Sequence, residues 1–163
     1  RVVYIINTHG HPDHVCGNGR LQEATGAQIV MHAEDAAYFS DTRIKGYFSS
    51  LGLPESPPVD LQVKDGDVIA FGEEQLQVIH APGHTPGGIC LYSPPHCFTG
   101  DTVFVGAVGR TDFPGGSMPQ MIEAIKNRLL TLPPETLVWP GHGYGGLQST
   151  IAREEKTNPY FDL

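Results

Sequence analysis

The chain has 163 residues, 39% of them hydrophobic and 17% charged, the balance of a globular domain with one sizeable core. A formal net charge of -8 and the lack of any basic cluster count against RNA or DNA as partner, because such a surface repels phosphate. No apolar run approaches the roughly 20 residues of a membrane span, so no membrane role is expected.

The three cysteines, Cys16, Cys90 and Cys97, show no C-x-x-C spacing. They fit a reducing compartment better than a disulfide framework, and a cytoplasmic location is expected. Cys90 and Cys97 sit in strand-like runs and read as small buried hydrophobes. The chain opens on Arg1 and passes straight into a strand, so the lack of a visible signal peptide says little.

In chain order, residues 2–6 ("VVYII") are a β-branched run of strand length. They end at "NTHGHPDH", where His9, His11, Asp13 and His14 fall within six positions, expected on a loop at a strand's C-terminal end. A helix follows from Gly17, stopped by Gly26. "AQIVMH" reads as a strand and "AEDAAYFS" as a short helix. Residues 41–60, with three prolines and little periodicity, read as a long surface loop that covers a site.

Short strands follow at 67–71, 75–80, 88–92 and 96–99, separated by "DG", "FG", "PG" and "SPP" turn signals. Residues 119–130 repeat Met121, Ile122, Ile125 and Leu129 at helical spacing. The strand "TLVW" precedes "PGHGYGG", and a last helix runs through "STIAREEK". Strands that first alternate with helices and then cluster predict one α/β (α+β) domain over residues 1–163, with sheets packed under helices.

Neighbouring side chains in a loop diverge, so His9, His11, Asp13 and His14 do not readily share one tetrahedral ion. They can serve two adjacent ions if further ligands arrive. "APGHTPGG" brings His84, "FTGD" brings Asp101 and "WPGHGY" brings His142, each after an apolar strand and a tight turn. Imidazole with carboxylate suits zinc, and also iron or manganese. His32 and His96 have no motif around them and read as structural, whereas His80, just before "APGHT", is a candidate for orienting a ligand.

The set "THGHPDH", His84, Asp101 and His142, in this order, resembles the metallo-β-lactamase superfamily over nearly the whole chain. The resemblance implies an αββα sandwich, here apparently short of its usual N-terminal strands, with two divalent metal ions along one edge. It assigns His9, His11 and His84 to the first metal, Asp13, His14 and His142 to the second, and Asp101 to a bridge between them. Two ions about 3.5–4 Å apart can share a water and lower its pKa to about 7, which makes a hydroxide nucleophile available at neutral pH. Asp13 and Asp101 are the catalytic candidates, Asp13 by orienting that nucleophile.

Residues 106–119 ("GAVGRTDFPGGSMP") and the ending "STIAREEKTNPYF" resemble the small glyoxalase-II-like branch, the hydroxyacylglutathione hydrolases. That implies hydrolysis of a small-molecule thioester, with Arg110 and Tyr144 contacting the glutathione part. The chain departs from glyoxalase II in ending about twenty residues after His142 and in having Asp112 where a second tyrosine is expected. It also shows only one strand before the histidine cluster, and an uncovered sheet edge would favour a homo-oligomer.

Persulfide dioxygenases share "GRTDF" and a similar C-terminal stretch, and would hold one iron on His9, His84 and Asp101. "FPGGS" and "PGHG" favour the hydrolase. A metal-binding remnant without turnover is the third alternative.

Overall fold

A computed structural model describes residues 1–161 of the chain. The first sheet is parallel, in the order β1 (Tyr4–Ile6), β2 (Gln28–His32), β3 (Leu61–Val63). Parallel neighbours need crossover segments, and helices supply them. α1 (Pro12–Val15) and α2 (Asn18–Thr25) lead from β1 to β2, and α3 (Ala33–Tyr38) and α4 (Thr42–Phe48) lead from β2 to β3. α2 stops at Gly26, whose φ of 68° is the left-handed cap that glycine adopts without strain.

The expected long loop over residues 41–60 is therefore helical in its first half. Asp41 caps α4 by accepting the Arg43 N–H, and a 3-10 turn over Ser49–Leu51 extends it. The prolines that suggested a loop begin only at Pro54, beyond the helix.

The second sheet begins as an antiparallel meander of β4 (Val68–Phe71), β5 (Glu74–His80), β6 (Ile89–Ser93) and β7 (His96–Gly100). A hairpin of β8 (Val103–Phe104) and β9 (Ala107–Val108) follows, then α5 (Met118–Ala124), which continues as a π-helical turn over Ile125–Leu129. β10 (Leu137–Pro140) joins β7 in parallel, and β11 (Ser149–Thr150) pairs with β10 ahead of α6 (Ile151–Thr157). Alternate residues along a strand face opposite ways. Thus Val78, Ile89 and Leu91 pack with Val30 and Val63 between the sheets. Ile79, Cys90, Cys97 and Val138 face Met121, Ile125, Leu129 and Ile151 on the other side. The architecture is the expected αββα sandwich. Among the described residues no helix is long and apolar enough to cross a membrane.

Antiparallel pairing of β5 with β6 and of β6 with β7, then parallel pairing of β7 with β10, makes β5, β7 and β10 run the same way. Their C-terminal ends therefore share one edge of the sheet. The loop after β1 joins them there, because the Ile89 N–H donates to the Thr8 carbonyl at 2.9 Å.

Candidate metal centre

After β1 the chain bends at Thr8 and His9 and is extended at His11 (φ -60°, ψ 144°), and Pro12 then opens α1. Proline suits a first helical position, where no N–H is needed. The expected single loop is thus irregular up to His11 and helical at Asp13 and His14, and His9, 4.1 Å from the His14 ring, joins the two halves.

The seven expected ligands come together from four segments. Ligand atoms of His9, His11 and His84 lie within 4.8 Å of one another, and so do those of Asp13, His14 and His142. His11 Nδ1 is 2.9 Å from His84 Nε2, and His14 Nε2 is 3.1 Å from His142 Nε2. Asp101 stands between the groups. Its Oδ2 is 3.5 Å from His84 Nε2 and 3.3 Å from His142 Nε2, and its Oδ1 is 3.5 Å from His14 Nε2. Two atoms here, His9 Nε2 and Asp101 Oδ1, are buried with no hydrogen-bond partner. An unpaired buried polar atom costs about 1–3 kcal/mol, unless a cation takes its lone pair. Imidazole and carboxylate donors fit zinc, iron or manganese, and these residues could hold two such ions.

The local charges favour the same use. Burial, and then the neighbouring imidazoles, hold His9 well below its ordinary pKa, and burial with His84 holds His11 at about 3. Burial lowers His84 too, against the pull of its bond to the Arg110 backbone. These rings are neutral at pH 7 and keep their lone pairs. His14 is desolvated, but Asp101 and Asp13 outweigh that and raise its pKa. For Asp101, burial acts upward and is overcome by His14, His84 and His142, which hold the carboxyl below its usual range.

Neighbouring groups fix the ligands in place. His84 Nδ1 meets the Arg110 carbonyl at 2.7 Å, and His9 Nδ1 lies 3.2 Å from Thr8 Oγ1. Gly141 lets the turn after β10 pass close, since a Cβ there would stand 2.4 Å from Asp101 Oδ1. Asp35, which the sequence did not single out, is fully buried on α3. Its Oδ2 accepts from Gly10 N and Thr85 Oγ1, both at 2.9 Å, and its Oδ1 from Gly87 N at 2.6 Å. It thereby ties the loop of His9 and His11 to the loop of His84. Its only trace in the sequence is an acidic residue beside Ala36 on a short helix.

His80 acts on that same loop rather than on a ligand side chain, through Nε2 and the Pro86 carbonyl at 2.9 Å. His32 stacks on His80 with ring centroids 4.2 Å apart, and its Nδ1 caps α3 through Glu34 N. Ligand atoms of His32, Glu34 and His80 also approach within 4.8 Å, and these hydrogen bonds use one nitrogen of each ring. His96 accepts from Trp139 Nε1 at 3.1 Å, in keeping with its structural reading.

A cavity of about 470 Å³ opens over the cluster. Arg110 lies at its wall, paired at both ends with Asp112 and stacked 4.1 Å above the Phe113 ring. Tyr144, 76% exposed, stacks on His142 at 5.1 Å.

The model of the metallo-beta-lactamase superfamily matches residues 1–142. The human mitochondrial persulfide dioxygenase ETHE1 is 34% identical over all of this chain, which spans 58% of that protein's length. The hydroxyacylglutathione hydrolase GloC of Haemophilus influenzae is 32% identical over 97% of this chain and 75% of its own. The solved structure of TTHA1623 in a di-iron-bound form is 37% identical and superposes with a TM-score of 0.83, covering 97% of this chain and 77% of the other. A family match over most of the chain, an αββα sandwich and a histidine-rich metal site at its edge agree: this chain belongs to the metallo-β-lactamase superfamily.

Proposed function

We propose that the chain is a binuclear hydrolase that cleaves a thioester such as a hydroxyacylglutathione. The observation that carries the two-metal part of this reading is the meeting of two ligand groups at Asp101. His9, His11 and His84 would hold one cation, Asp13, His14 and His142 the other, and Asp101 stands where it could serve both. Zinc fits the donors best, with iron or manganese as alternatives. Bound cations supply a water-derived nucleophile at neutral pH and polarise the scissile carbonyl.

The protein's own groups do the positioning. Asp13 is half exposed to the cavity and 3.5 Å from both His14 Nε2 and His142 Nε2, placed to accept a hydrogen bond from the attacking water and orient it. Water oxygen bonds to the carbonyl carbon as its proton passes by way of Asp13 to solvent, the C–S bond breaks, and its electron pair leaves on sulfur. A thiol with a pKa near 8.5 departs as thiolate without a strong acid beside it. Arg110 and Tyr144 stand at the cavity wall and rim to contact the thiol part.

A second reading, a persulfide dioxygenase with one iron on His9, His84 and Asp101, is supported by the 34% identity to the human enzyme. It leaves His11, Asp13, His14 and His142 without a metal to bind. The two separate when S-lactoylglutathione hydrolysis is assayed beside oxygen uptake with glutathione persulfide. Thioester cleavage by a two-metal protein supports the hydrolase, and oxygen uptake with one iron supports the dioxygenase. Neither activity in a folded, metal-loaded sample, with lactoyl and longer unsubstituted acyl thioesters both assayed, identifies a metal-binding remnant.

A further inference from the structure

Among the described residues, apart from the metal-site groups, the cavity walls carry only two polar side chains, Arg110 and Tyr144. The guanidinium of Arg110 is already spanned by Asp112, with both contacts at 2.6 Å. The remaining walls are apolar. Phe48 and Phe113 meet the His11 ring edge-on, at 5.1 and 5.0 Å, and each other at 5.5 Å. Leu51 and Leu53 line the mouth beside them, 56% and 41% exposed. Apolar side chains left in water around a concave site mark the place where a ligand's apolar surface goes.

From these walls we infer that the substrate carries a bulky apolar acyl group, aliphatic or aromatic, seated in the cup of Phe48, Leu51, Leu53 and Phe113. The inference rests on the thioester reading of the site and narrows it. A thioester has two ends to place. A peptide-like thiol is polar along its length and suits the open rim at Tyr144, where water still reaches it. The acyl end then lies against His11 in the cup. A hydroxyl on that acyl group finds no side-chain partner among the four walls, so it gains nothing there and loses part of its hydration. Each methylene added instead covers apolar wall, a gain of about fourfold in transition-state binding where burial is complete.

The test uses the metal-loaded protein and one thiol, glutathione, with acetyl, propionyl, butyryl, hexanoyl, phenylacetyl and lactoyl thioesters. The value of kcat/KM is expected to climb at least about thirtyfold from acetyl to hexanoyl, with phenylacetyl near the top and lactoyl no better than propionyl. Leu51→Asp and Leu53→Asp, both at exposed positions, are expected to remove most of that gradient. A flat series, or lactoyl above hexanoyl, overturns the inference.

Uncleavable S-methyl, S-butyl and S-hexyl glutathione, titrated by calorimetry, read the cup without turnover. Affinity that rises with chain length and an increasingly negative heat capacity support it, and equal affinities overturn it. If no thioester is cleaved yet S-hexyl binds tightest, the hydrolase reading fails while the apolar cup stands. If thioesters are cleaved without a gradient, the cup fails alone.

Discussion

His84 donates its Nδ1–H to the backbone carbonyl of Arg110 across 2.7 Å. That bond selects the tautomer with a lone pair on Nε2, the nitrogen 2.9 Å from His11 and 3.5 Å from Asp101. Because the acceptor is main chain, the side chain at position 110 is free to change. Arg110→Ala is expected to keep zinc affinity within about threefold, while raising KM for a glutathione thioester with kcat little altered. Gly109→Ala is expected to do the opposite, since its Cβ would lie 1.8 Å from the Asp101 carbonyl oxygen and 3.2 Å from His84 Nδ1. A loss of about 10- to 100-fold in metal affinity is expected there, measured by competition with a chromogenic chelator. Equal affinities in the two variants would remove this orienting role.

Asp35 fastens two ligand loops with three accepted hydrogen bonds. In Asp35→Asn the carbonyl can replace Oδ2, but the amide then turns an N–H toward Gly87 N, donor against donor. The metal-free variant is expected to lose about 2–3 kcal/mol in urea unfolding. Cobalt titration is expected to show weakened binding at His9, His11 and His84 before any change at Asp13, His14 and His142. Loosening of both groups to the same degree would mean that Asp35 acts on the fold as a whole.

The metal-free protein is expected to weaken in mild acid. Burial, and then the neighbouring His84, hold His11 at about 3, whereas an unfolded imidazole titrates near 6.5. Between those values the unfolded chain binds more protons, so stability that is complete above 6.5 is lost as pH falls toward 3. From pH 7.5 to 5.5 such a group accounts for about 1.4 kcal/mol. The His11→Gln variant should show a pH dependence smaller by about that amount, and an unchanged dependence would contradict the burial argument.

Much of the site was legible because its ligands follow strands whose turns are written in Gly and Pro. "APGHT", "FTGD" and "WPGHG" each bring one ligand to the shared edge. What was not legible has physical reasons. α4 was hidden because the prolines at 54, 57 and 58 dominate a window whose first half is governed by the Asp41 cap. Pro12 was read as loop, although proline opens a helix as readily as it breaks one. Asp35 works through backbone N–H groups of Gly10 and Gly87, and such partners leave no side-chain pattern in a sequence. The Arg110 carbonyl that orients His84 is invisible for the same reason.

The central claim, that two ligand groups meet at Asp101 to hold two cations, is tested most directly by counting metals. Protein is dialysed to equilibrium against zinc, and bound metal per chain is measured for the wild type and for His14→Ala. Two ions in the wild type and one in the variant are expected. One ion in both would contradict the claim.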